Sequence, residues 1–123
     1  MENKIQNFYD LEAWKSGHDL VLEVYKITNG FPQEERFGLI SQLRRASSSI
    51  TANIAEGFER YHFNDKKRFY YQARGSVGEI QNFLILAKDL NFISIENYNG
   101  INQKITKTRL LINGLIRSIE NQK

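Results

Sequence analysis

Apolar residues recur along most of the chain at alternating spacings of three and four, the mark of helices that bury one face. In the first such segment Leu11, Trp14, His18, Val21, Tyr25 and Thr28 trace a seam, with Asp10 placed to cap it. A second apolar row, Leu20, Val24 and Ile27, falls on roughly the opposite side at about 100° per residue. One buried face needs only one stripe, so this row is expected to meet another subunit. The plainer alternative is that the N-terminal tail overlies it. Asn29 and Gly30 close the helix, with Gly30 expected in the left-handed conformation and Pro32 blocking continuation.

A second helix is expected from Gln33 or Glu34 to Gly57, with Ile40, Leu43, Ser47, Ile50 and Ile54 as its seam. Asn64 is placed to cap a third, running to about Leu90. Its seam is Tyr70, Ala73, Val77, Ile80, Leu84 and Ala87, and Phe69, Ser76, Phe83 and Leu90 form a second row. Ser94 caps a fourth, with Tyr98, Ile101, Ile105, Thr108, Ile112, Leu115 and Ile119 facing inward. Short connections between four helices predict an all-α fold, an up-down-up-down antiparallel four-helix bundle over residues 10–123, after a tail at residues 1–9.

Composition narrows the chemistry. The chain of 123 residues suits one domain with one core, and 41% hydrophobic with 25% charged residues suits a globular protein. With no cysteine, disulfides, thiol nucleophiles and Cys-ligated zinc are excluded. The first residues are polar and no run approaches the ~20 apolar residues of a membrane span, so a cytoplasmic location is expected.

The net charge is +3 and the pI about 9.2, which permits a nucleic-acid partner without requiring one. The charge is uneven. From Arg36 to Arg74 there are eight basic and three acidic residues; the remainder carries nine basic and eleven acidic. Arg60-Tyr61-His62-Phe63 and Lys66-Lys67-Arg68-Phe69-Tyr70-Tyr71 interleave cations with rings, a composition able to hold phosphates and stack bases. Arg44, Arg45, Arg60, Lys66, Lys67, Arg68 and Arg74 are the candidate nucleic-acid-binding residues. The alternative is a solvated helix start with its rings turned inward.

Catalytic signals are thin. Ser47, Ser48 and Ser49 have no histidine within evident reach, and His18 and His62 are too far apart in sequence for a metal motif. Gly75-Ser76-Val77-Gly78 has no preceding strand, so a phosphate loop is excluded; Gly57, Gly75 and Gly78 are expected where helix three approaches helix two. Around them Arg45, Asn53, Glu56 and Glu79 are expected to form a structural polar network, since polar groups within a close helix contact must be paired. No catalytic residue, cofactor or metal is expected, and no enzyme.

Three stretches carry a family resemblance. They are Phe31-Pro32-x-Glu34-Glu35-x-Phe37-Gly38-Leu39, Gln42-Leu43-Arg44-Arg45-Ala46-x-Ser48-Ser49-Ile50-x-Ala52-Asn53-Ile54-Ala55-Glu56-Gly57, and Ala73-Arg74-Gly75-Ser76-x-x-Glu79. Together with Leu11-x-x-Trp14 they resemble the 23S rRNA-intervening sequence protein family over roughly residues 8–120. The resemblance implies a bacterial four-helix bundle that assembles as a homopentamer. The family name refers to insertions in ribosomal RNA genes, a location and not an activity. The fold is also similar to that of accessory variability proteins of diversity-generating retroelements, which bind nucleic acid and a reverse transcriptase. The expected function is therefore a non-enzymatic oligomeric protein that binds RNA or DNA. The alternative is a scaffold that recruits a partner protein such as a reverse transcriptase. Asn91 departs from the glycine many relatives carry there, but asparagine also tolerates a left-handed cap.

Overall fold

The computed structural model describes residues 4–122. Four helices carry the architecture: α1 Glu12–Thr28, α2 Leu39–Glu59, α3 Phe63–Asp89 and α4 Ile95–Glu120. Short 3-10 turns at Phe8–Asp10 and Gln33–Glu35 lead into α1 and α2, and the described residues contain no strand.

Contacts between neighbours pair early residues of one helix with late residues of the next. Ser16 meets Thr108 and Asp19 meets Lys104 between α1 and α4. Ser49 meets Ser76, and Gly57 meets Tyr70, between α2 and α3. Arg74 meets Asn113, and Gln81 meets Asn102, between α3 and α4. Gly17 meets Ile50, and Thr28 meets Arg44, between α1 and α2. Each pair therefore runs antiparallel, with α1 and α3 on one diagonal and α2 and α4 on the other.

The expected seams of α3 and α4 form the core. Tyr70, Ala73, Val77, Ile80, Leu84 and Ala87 are buried, as are Ile101, Ile105, Thr108, Ile112 and Ile119. In α1 the second row belongs to the core, and the expected seam is split, with Thr28 buried and Leu11 and Trp14 packed against the core. Leu20 and Val24 are fully buried within the single chain, so they are not an oligomer interface; Ile27 is half-buried against the core. His18 and Tyr25 of the expected seam are exposed. The physical reason lies in Ala13, Ser16 and Gly17, small residues that continue the Leu20–Val24 line into the core. A Cβ on Gly17 would lie 3.1 Å from Ile50 Cγ2, so α1 seats its narrow face on α2. The large residues Trp14 and Tyr25 ride on its flanks.

Helix ends differ from expectation where polar side chains intervene. Leu11, not Asp10, is the α1 cap; the Asp10 carboxylate instead accepts from the backbone N–H of Gln6 and Asn7. Those two bonds hold the Asp10 carboxyl below its usual range. Residues 8–9, placed in a tail from sequence, belong to the fold, with Phe8 at 5.6 Å from Trp14; residues 1–3 of that tail lie outside the described residues. No described glycine has positive φ, so Gly30 is not a left-handed cap. The chain turns there through Gly30 N–H to Ile27 O and Phe31 N–H to Thr28 O, both 3.1 Å. α2 begins at Leu39 and not near Gln33, because Glu35 Oε1 accepts Leu39 N–H at 3.1 Å across the Gly38 bend. His62, not Asn64, precedes α3. Ser94 caps α4 as expected, accepting from Asn97 N–H at 3.1 Å. Asn91 has φ 63°, and Asn91 N–H to Lys88 O with Phe92 N–H to Ala87 O completes a Schellman closure of α3.

Candidate nucleic-acid interface

The cations and rings picked out from sequence meet at the corner where α2 turns into α3. α2 ends at Glu59, and Arg60 and His62 take extended backbone before α3 begins at Phe63. Two contacts make so tight a reversal. Gly57 has no side chain where a Cβ would sit 2.6 Å from Tyr70 Cε1, so the Tyr70 ring packs directly on the end of α2. Lys66 Nζ donates to the carbonyls of Gly57 (3.2 Å), which also accepts Arg60 N–H, and Phe58 (2.7 Å), capping the end of α2 with a cation. Burial lowers the Lys66 pKa, with Glu59 acting against that shift.

Outside this clamp the surface is cationic and aromatic. The Arg60 and Arg68 guanidinium groups lie over the same Phe69 ring, at 4.8 and 4.6 Å from its centroid. Arg60 also pairs with Glu56 at 2.9 Å, and Arg68 reaches Asp65 at 3.9 Å. Tyr61, at the tip, is 88% exposed and meets His62 edge to face at 5.1 Å. Lys67 lies 3.9 Å from Glu120 of α4. Two turns further along, Arg74 donates to Asn113 Oδ1 at 3.0 Å and lies over Tyr71 at 4.7 Å. The rings divide: Tyr70 turns inward, where burial raises its pKa to about 12, and Tyr61 turns outward.

Two candidates lie elsewhere. Arg44 sits at the opposite end of the bundle, donating to Thr28 Oγ1 (2.9 Å), Asn29 Oδ1 (3.1 Å) and Tyr25 O (3.5 Å) while lying over the Tyr25 ring. It fastens the end of α1 to α2. Arg45 is exposed on α2, about 20 Å along the helix from Arg60 at 1.5 Å per residue.

The expected polar network of Arg45, Asn53, Glu56 and Glu79 does not form. Arg45, Glu56 and Glu79 are exposed, on the helix faces opposite the buried rows, and Glu56 turns to Arg60. Asn53 instead donates to Ser49 O and Oγ at 2.9 and 3.0 Å, and Ser49 Oγ meets Ser76 Oγ at 2.9 Å. Gly57 does mark the close approach of the two helices, but Cβ atoms on Gly75 and Gly78 would meet open space. Sequence reasoning missed Gly17, the close approach of α1, and the buried Ser16–Thr108 bond of 2.7 Å.

His18 and the serines Ser47 and Ser48 are structurally engaged. His18 is stacked on Trp14 at 4.7 Å, and Ser47 and Ser48 donate back to carbonyls of their own helix. A surface hollow of about 590 Å³ near Lys4, Asp10 and Lys15 has Asp10 bonded to backbone and Lys15 paired with Glu12 at 3.4 Å. No three His, Asp or Glu side chains gather to hold a metal among the described residues.

No helix among the described residues is long and apolar enough to cross a membrane. Comparison with curated proteins finds no match. Among solved structures, a crystal structure from Bacteroides thetaiotaomicron VPI-5482 is similar in fold, with a TM-score of 0.79 at 22% identity. It covers 85% of this chain and 95% of that one, and is described as a protein with unknown function from the S23 ribosomal protein family. The model of the 23S rRNA-intervening sequence proteins matches residues 9–114, and with that extent of match the chain belongs to this family.

Proposed function

We propose that the protein is a non-enzymatic binding protein that contacts RNA or DNA through the α2–α3 corner. The observation that carries this reading is the pair of arginines, Arg60 and Arg68, held over one Phe69 ring beside the exposed Tyr61. A guanidinium that lies flat on a ring keeps N–H donors free at its edge for phosphate oxygens. The Glu56 and Asp65 partners are solvent-exposed and exchangeable, since exposed pairs contribute only about 0–1 kcal/mol. Arg60→Glu with Arg68→Glu should abolish low-salt retention of RNA and single-stranded DNA in a gel-shift assay while the helical circular dichroism is unchanged. Retention equal to that of the unaltered protein would refute the assignment.

Assembly of several copies, as a homopentamer, is part of the same proposal. Ile85, Leu86, Leu90 and Leu110 support it as exposed apolar residues on α3 and α4 that the single chain leaves uncovered. Several copies would multiply the basic corner and strengthen binding by avidity. The same apolar surface favours the second reading, a scaffold that recruits a partner protein. Light scattering separates the two: a discrete oligomer that Leu110→Glu dissociates supports self-assembly, and a stable monomer contradicts it.

A further inference from the structure

We propose that the α2–α3 corner takes an unpaired polynucleotide strand in preference to a duplex, with a base stacked on Tyr61 and its neighbouring phosphates on Arg60 and Arg68. This rests on the corner being a nucleic-acid interface and adds which form of nucleic acid it selects.

Three observations favour an unpaired strand. First, Tyr61 presents 88% of its surface to solvent at the tip of a reversal. A ring so placed offers a flat π-face, and every nucleobase has one to match. Bases inside a duplex are already stacked on both faces and present only their edges. Second, Arg60 and His62 are extended backbone on a tight turn, so Tyr61 is carried on a short reversal and not on the side of a helix or ribbon of the kind that lies in a major groove. Third, Arg60 adjoins Tyr61 in sequence, and Arg68 shares the Phe69 ring with Arg60, so the exposed ring and the two guanidinium groups belong to one corner.

The opposite end of the bundle supplies a comparison. Phe37 is also 88% exposed and lies beside a guanidinium, that of Arg36 at 5.3 Å. It follows Glu34 and Glu35, whose charges repel phosphate. Both ends thus carry an exposed ring, a guanidinium and nearby carboxylates; the α2–α3 end differs in holding two guanidinium groups on one ring, each with an exchangeable carboxylate partner, Glu56 and Asp65.

The test is fluorescence anisotropy at low salt with oligouridine, oligodeoxythymidine and a blunt DNA duplex as probes. The single strands should bind about tenfold or more tightly than the duplex. Tyr61→Ala should remove most of that preference, Tyr61→Phe should retain it, and Phe37→Ala should leave it unchanged. The RNA and DNA arms distinguish the two sources of unpaired strand, and Tyr61 dependence in either supports the inference. Equal binding of strands and duplex, or an equal loss in Phe37→Ala and Tyr61→Ala, would overturn it and leave the nucleic-acid reading standing. Absence of binding to all three probes would overturn both.

Discussion

Leu20 and Leu22 lie two residues apart on α1 and have opposite roles. Leu20 is fully buried and Leu22 is exposed. Leu20→Ala should cost about 2–5 kcal/mol in chemical denaturation, through lost transfer energy and a residual cavity. Leu22→Ala should stay within about 0.5 kcal/mol. A small effect at Leu20 would contradict its place in the core. Tyr70 gives a pH-dependent test. Its folded pKa, raised to about 12 by burial, exceeds the value of about 10 for an unfolded tyrosine. The unfolded chain therefore loses this proton first. The contribution is complete below pH ~10 and is lost as pH rises through about 12. Stability measured across that interval should fall less steeply in Tyr70→Phe than in the unaltered protein; identical slopes would contradict the burial argument.

Helices were legible from sequence wherever large apolar residues lie on the core line. α3 and α4 meet this condition, and Tyr70 through Ala87 and Ile101 through Ile119 face inward as their spacing requires. α1 does not, because Ala13, Ser16 and Gly17 occupy its core line and carry little hydrophobic signal. Its larger flanking residues drew the periodicity to the wrong side. The polar network was illegible for a related reason. Whether Arg45, Glu56 and Glu79 meet depends on helix rotation, which a list of charges does not contain. Arg44 shows how a cation can be claimed by the fold. Arg44→Ala should cost about 1–3 kcal/mol, because Thr28, the Asn29 side chain and the Tyr25 ring lose a shared charged partner. Thermal denaturation checks this, and an unchanged midpoint would remove Arg44 from the clamp between α1 and α2.

At the scale of the whole molecule, the bundle divides the cations between its two ends and brings Arg60, Lys66, Lys67 and Arg68 to one corner, where carboxylates accompany them. The basic excess between Arg36 and Arg74 was visible in sequence, but its division was not. Arg44 is anchored at the far end, Lys66 closes α2, and Arg60 and Arg68 remain at the surface on Phe69. That division follows from the close approach of Gly57 and Tyr70, which brings the two helix ends together. If this corner holds nucleic-acid phosphates, affinity must fall with salt in proportion to the contacts made. The most direct test is the slope of log affinity against log salt for a single-stranded probe. Two phosphate contacts, at Arg60 and Arg68, predict a slope of about −1.4, and Arg60→Ala with Arg68→Ala should bring it close to zero, while Arg44→Ala leaves it unchanged. A slope unaltered by the double substitution, or flattened equally by Arg44→Ala, would contradict the claim.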